Sequence, residues 1–247
     1  MNNDFKIAMI IPGSIQCHID DFYSSAFKHD CEGGLSYRGG SPRKQECELL
    51  ARLVLQLKPV ATLDWGLGDG AVCMAIVLAR RELGISGRHI SLDPFQQMIA
   101  KNVGLSQLQS RGLWEDVDFR EDRSEKFLVE AAKSNREFDF IFVDGDHSFG
   151  SKISDAHLAN RALKPGGIIA FHDALFDSTA AAVSLLMKHH AYSLLNSSVE
   201  PKWKIAARCI RHAARLGIRY TWEVVPRLGL SIAVLRKPSR TECRSSE

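Results

Sequence analysis

Asp144, His147, His172 and Asp173 are the side chains of this chain best placed to do chemistry. They stand at the ends of two apolar runs, residues 138–143 (Phe-Asp-Phe-Ile-Phe-Val) and 168–171 (Ile-Ile-Ala-Phe), that read as buried strands. Adjacent strand ends lie about 4.8 Å apart, so Asp144 and Asp173 could bind the same cation. Such a cation would hold a substrate hydroxyl and lower its pKa while His147 removed the proton. Most of the gain would come from positioning and electrostatics. His172 complicates this picture, because Mg²⁺ prefers oxygen ligands whereas imidazole suits Mn²⁺, Fe²⁺, Ni²⁺ or Zn²⁺. Three readings stay open: a softer metal, a His172 ring that points away, or no metal and His147 acting alone.

A second cluster is Asp64-Trp65-Gly66-Leu67-Gly68-Asp69-Gly70. Residues 60–63 before it read as a short buried strand, and residues 71–79 after it as the start of an apolar helix. Glycines between strand and helix let the backbone turn sharply and approach a ligand closely. The helix N-terminus behind them offers unpaired N–H groups to an anionic group such as a carboxylate. The segment is a nucleotide-cofactor site on this reading. Gly66, Gly68 and Ala71 also satisfy the dinucleotide fingerprint, with Asp93 at a suitable distance for ribose hydroxyls.

The elements that must position these groups alternate strand and helix. The first helix is expected to run to about residues 83–84, a strand over 89–92 to end at Asp93-Pro94, and a helix to cover 95–103. A weak strand follows at 117–120, a helix at 125–132, the strand at 138–143 and a helix at 154–163. Pro165-Gly166-Gly167 reads as a turn before the strand at 168–171, and residues 230–235 as a late strand. Alternation of this kind describes an open, mostly parallel α/β sheet with its site along the C-terminal strand edge.

Composition agrees. A chain of 247 residues with 45% hydrophobic content can bury the core of one α/β domain. A formal charge of +3 does not by itself imply a nucleic-acid or membrane partner. Six cysteines show no C-x-x-C pair and no metal-finger spacing, and read as reduced thiols of a cytoplasmic protein. No window approaches the roughly 18 to 20 apolar residues that span a bilayer.

Three features favour S-adenosylmethionine over NAD as the cofactor. Asp64, at the end of the first strand, can pair with an ammonium, which NAD lacks; the fourth strand ends in carboxylates; and Leu163-Lys164-Pro165-Gly166-Gly167 precedes the fifth. With these residues the chain, over about 45–175, resembles the class I methyltransferases, whose first motif is D/E-x-G-x-G-x-G and whose fifth strand commonly follows an L-K-P-G-G turn. The resemblance implies a Rossmann-like, doubly wound, mostly parallel seven-stranded sheet with helices on both faces, in a single domain. It implies that Asp64, Gly66, Gly68 and Gly70 hold the methionine moiety and that Asp93 accepts hydrogen bonds from both ribose hydroxyls. Asp122 would bind the adenine amino group, with Glu121 close enough to compete.

More narrowly, the chain resembles the divalent-metal-dependent O-methyltransferases, in the branch of catechol-type and sugar-modifying enzymes. Asp144 matches their aspartate at the end of the fourth strand, His147 their base three residues on, and His172-Asp173 the pair that ends the fifth. The implied metal set is Asp144, His172 and Asp173, with Mg²⁺ or Mn²⁺ as the ion. Glu46 stands where the family has a glutamate ahead of a long helix and would face the cofactor site, as would Asp144. The function so implied is methylation of a hydroxyl on a small molecule, a natural product or a sugar. N-methylation or metal-independent methylation is the alternative, and a non-catalytic cofactor-binding protein or a dehydrogenase a remoter one.

The flanks carry no recognised motif. Residues 1–45 are expected to form a substrate-side cap, 46–236 the catalytic domain with an insertion at about 196–228, and 237–247 a disordered tail. The segment 202–219 holds Lys202, Lys204, Arg208, Arg211, Arg215 and Arg219 with no acidic residue. It reads as a solvated helix face over an apolar contact stripe of Ile205, Cys209, Ala213 and Leu216, with a binder of an acidic substrate, a lipid surface or RNA as the alternative reading. Trp203 and Trp222 bracket it and read as packing residues, with stacking on a sugar or aromatic acceptor as the alternative, and the apolar flanking helices make a homodimer an expectation. The expected partner is a small-molecule acceptor, not nucleic acid.

Overall fold

The computed structural model describes residue 7 and residues 9–24, 42–134, 136–198 and 200–239. Residues 1–6, 8 and 25–41 of the expected cap, including the glycine-rich stretch 31–41, and residues 240–247 of the expected tail lie outside the described residues. The contacts divide the chain into two compact units, Ile7–Arg123 and the rest from Ser124 on.

The first unit contains helices α1 (Gly13–Ser24) and α2 (Lys44–Leu57), strand β1 (Thr62–Trp65), helix α3 (Ala71–Glu82), strand β2 (His89–Leu92), helix α4 (Val103–Ser110) and strand β3 (Val117–Arg120). Strands β1, β2 and β3 are parallel, with Asp64 opposite Ser91 and Ser91 opposite Phe119. Helix α3 is apolar on all sides and buried from Ala71 to Arg80. Arg80 is accommodated because its guanidinium donates to the carbonyls of Pro59, Val60 and Gly87. Helix α1 packs on α2 and α3.

Two expectations are corrected here. Strand β1 continues through Asp64 and Trp65, because the ladder to β2 runs on and Gly66 N–H still donates to Leu92 C=O at 2.8 Å. The helix expected at 95–103 is instead a series of turns, and α4 starts only at Val103. The Asp93 carboxylate captures the N–H of Phe95 at 2.8 Å, and Lys101 and Asn102 take positive φ (48° and 57°), so no helix can propagate across them.

The second unit contains α5 (Ser124–Lys133), β4 (Phe138–Val143), α6 (Phe149–Ala162), β5 (Leu163–Phe171), α7 (Asp177–His189), β6 (Ser193–Leu194), α8 (Lys202–Leu216), α9 (Ile218–Glu223) and β7 (Ala233–Arg236). In β4, Phe138, Phe140, Ile141, Phe142 and Val143 are all buried, as expected of a strand covered on both faces. The expected turn at Pro165-Gly166-Gly167 lies within β5. Phe138 pairs with Leu163 but Phe140 with Ile168, so Lys164–Gly167 bulge out of the ladder, with Gly166 at φ 79°. Strand β7 runs antiparallel to β5 and to β6. The seven strands have the order β3-β2-β1-β4-β5-β7-β6, the mostly parallel sheet expected from the sequence.

Candidate active site

In the first unit the glycine loop has the backbone its sequence demands. Gly66, Gly68 and Gly70 have φ of 99°, 52° and 87°, a region that side chains strongly disfavour. Asp93, 8% exposed, braces the loop: its Oδ2 accepts from Gly68 N–H at 3.0 Å and from Gln96 Nε2 at 2.9 Å, while Oδ1 accepts from Phe95 N–H. A carboxylate has about four acceptor sites, so these three bonds leave one, on Oδ1. Gln96 is fully buried and also donates to Gly68 C=O at 2.7 Å, tying loop and Asp93 into one piece. Asp69 takes one helix donor for itself, its Oδ1 accepting from Ala71 N–H at 3.1 Å.

Beneath the loop lies a buried polar relay. Asp64, with no exposed surface, has Oδ1 3.0 Å from His89 Nε2, and His89 Nδ1 is 2.8 Å from Thr62 Oγ1. An ionised Asp64 only accepts, so the ring proton sits on Nε2 and Thr62 O–H donates to Nδ1. Asp64 Oδ2 makes no hydrogen bond among the described residues. Cys73 also lies within 4.8 Å of these ligand atoms, and burial pushes its thiol well up. Glu46 closes the N-terminus of α2, accepting from Arg43 N–H at 2.8 Å and pairing with the Arg43 guanidinium at 2.9 Å. Its charge and that of Asp69 both help raise the Tyr23 phenol, after burial and Cys47. Asp122 is half-buried just after β3, and Glu121 is exposed, accepting from Gln97 N–H at 3.5 Å.

The second unit brings its predicted residues together. Asp144, His147 and Asp173 each place a potential ligand atom within 4.8 Å of the others. His147 Nε2 is 3.6 Å from Asp173 Oδ2. His172, 5% exposed, does not point away: its Nδ1 is 3.2 Å from Asp144 Oδ1 and 3.4 Å from Asp173 Oδ2. Burial raises the Asp144 carboxyl against the opposing pull of His172 and Lys152. Asp173 sits at φ 52°, a left-handed conformation that Asp tolerates better than most residues, and one found preferentially at functional sites.

Three supporting residues escaped the sequence reading. Asp146 locks the loop that carries His147, accepting from Ser148 N–H (3.1 Å), Ser148 Oγ (2.8 Å) and Ser151 Oγ (2.7 Å), bonds that hold its carboxyl down at about 2. The Phe176 ring stacks on His147 at 5.5 Å and 19°. Lys152, fully buried on α6, donates to Gly145 C=O at 3.3 Å; burial lowers its pKa, and Asp144 is the first of the charges that oppose this. Only Asp146 carried a sequence signal, an acid two residues before a serine helix cap.

The family described as "methyltransferase domain" matches residues 63–174. The caffeoyl-CoA O-methyltransferase of Mesembryanthemum crystallinum is 27% identical over 144 residues, 56% of this chain. The chain spans about half the length of that curated relative (52%). Among solved structures, the O-methyltransferase TomG from Streptomyces achromogenes, involved in tomaymycin synthesis and crystallised with SAM, has a TM-score of 0.57 at 11% identity, over 94% of this chain and 92% of that one. The O-methyltransferase from Bacillus cereus in complex with SAH has a TM-score of 0.57 at 15% identity, over 93% and 94%. At these identities the structural likeness is one of fold.

Proposed function

Since the chain belongs to the class I methyltransferases, we propose that it methylates a hydroxyl of a small molecule, with S-adenosylmethionine as donor. The observation that carries this reading is the convergence of Asp144, His147 and Asp173 at the ends of β4 and β5. Gly66, Gly68 and Gly70 would hold the methionine moiety by backbone, with Asp64 supplying negative charge from below. The remaining acceptor site of Asp93 takes a ribose hydroxyl, and Asp122 the adenine amino group. The bound cofactor supplies an electrophilic methyl group.

His147 removes the acceptor's proton. It is half-exposed and stacked on Phe176, and with Nε2 turned towards Asp173 its Nδ1 is the ring nitrogen left to face an incoming hydroxyl. Asp144 and Asp173 would suit a divalent ion, and an imidazole beside them would complete a mixed N/O donor set. A bound ion would lower the pKa of the acceptor hydroxyl. His172 keeps both carboxylates in place, as a ligand or as a hydrogen-bond donor.

Turnover of methyl-labelled S-adenosylmethionine against a library of hydroxylated compounds tests the reading. His147→Ala is expected to lower turnover by roughly 10²- to 10⁴-fold while binding of S-adenosylhomocysteine persists; unchanged turnover removes His147 as base. Exhaustive chelation is expected to abolish activity and Mg²⁺ or Mn²⁺ to restore it, whereas activity that survives chelation favours metal-independent methylation.

A further inference from the structure

The basic segment belongs to helix α8, whose expected contact stripe, with Ala213 half-buried on it, is its covered side, but the rest of its surface is more than a solvated basic face. Cys209 is its one buried residue, with Ile205 and Leu216 half-buried beside it. The opposite face is apolar as well. Trp203, Ala207, Ile210 and Ala214 follow the i, i+4, i+7, i+11 spacing of a single stripe, with Trp203 68% and Ile210 74% exposed. The short helix α9, which packs on α8, adds Ile218 (76% exposed) and Trp222 (59%), one turn apart. The two tryptophans expected to be packing residues are therefore on the surface.

Cations line this stripe. Lys204 Nζ lies 5.5 Å from the centre of the Trp203 ring, and Arg211 makes no ion pair among the described residues. Arg208 is neutralised by Glu200 at 2.6 Å, and Arg215 is held by Asp177 at 3.2 Å and by the carbonyl of Leu175. On α9, Arg219 is paired with Glu223 at 3.1 Å, so the positive charge left uncompensated beside the exposed indole and isoleucine is that of Lys204 and Arg211.

We propose that the outer face of α8 and α9 docks on an anionic phospholipid bilayer. Interfacial helices need both features of this face: an apolar stripe that enters the acyl boundary and basic residues that meet the headgroups. A second copy is a poorer occupant, because pairing this helix with itself would press like charges together. Nucleic acid would engage the cations and tryptophans but leave Ile210 and Ile218 without a role. The docked face is tied to the candidate active site through the loop after β5. Arg215 holds Leu175, Tyr220 Oη donates to Ala174 C=O at 2.8 Å, and Phe176 between these anchors and α7 stacks on His147. A docked face would thus be connected to the loop whose Phe176 stacks on His147.

Flotation of the full chain with vesicles tests this. Vesicles of phosphatidylcholine with phosphatidylserine should carry the protein, phosphatidylcholine alone should not, and added salt should release it. Two double variants, Lys204→Glu with Arg211→Glu and Ile210→Asn with Ile218→Asn, should each weaken binding at least about tenfold. All four positions are exposed, so both variants should melt like the parent. Equal binding to neutral vesicles, full binding by either variant, or no binding at all overturns the proposal. So does tighter binding to single-stranded RNA in the same salt, or a dimer that Ile210→Asn with Ile218→Asn dissolves.

Discussion

At the scale of single residues, His89 is the least obvious part of the cofactor half. It is fully buried between Thr62 and Asp64, and its proton must sit on Nε2 to serve an ionised aspartate. The Thr62 hydroxyl enforces that tautomer from the other side. Thr62→Val keeps the shape but leaves Nδ1 without a donor, at an expected cost of about 1–3 kcal/mol. Urea denaturation measures that loss, and calorimetry with S-adenosylhomocysteine should show weaker binding because the charge beneath the loop is no longer held. Unaltered stability and affinity would mean the relay does nothing. The relay was readable in principle. Thr62 and Asp64 alternate on one strand, His89 and Ser91 on the next, and the register Asp64 to Ser91 aligns them on one face. What hid it is that register is a tertiary property, absent from either strand alone.

At the scale of elements, the glycine loop is shaped as much by α4 as by its own sequence. Gly104, in the first turn of α4, lies against it so closely that an added Cβ would stand 2.7 Å from the carbonyl oxygen of Gly68 and 2.9 Å from Leu67 Cγ. Backbone cannot yield cheaply at such a contact, so Gly104→Ala should destabilise by about 1–3 kcal/mol and weaken binding of S-adenosylhomocysteine together with it. A variant that melts and binds like the parent would show that the loop accommodates the methyl group. Nothing in the sequence marked this contact, since the helix was expected to end where it begins. The expectation failed at residues 95–102 for a physical reason: apolar spacing there is helical, but Asp93 and Gln96 spend their hydrogen bonds on the loop. Strands β2 and β4, by contrast, fall where the sequence places them because burial on both faces leaves a signal independent of partners, while the edge strand β3, with only Val117 buried, falls at 117–120 without that signal.

For the molecule as a whole, strand order, glycine loop and strand-end acids agree on one type of enzyme, and the two compact units each carry one part of its equipment. The strand-end set was legible because consecutive parallel strands end at one edge, whatever the details of packing. The surroundings of that set were not: Phe176, Lys152 and the exposed face of α8 depend on which residues the fold leaves uncovered. The central claim is that the loop binds a methyl donor. Titration calorimetry of the full chain with S-adenosylhomocysteine, and in parallel with NAD, tests it most directly. One site for S-adenosylhomocysteine is predicted, retained in His147→Ala and lost in Asp93→Ala, with no heat from NAD. Binding of NAD in its place, or affinity for S-adenosylhomocysteine that survives Asp93→Ala undiminished, would contradict it.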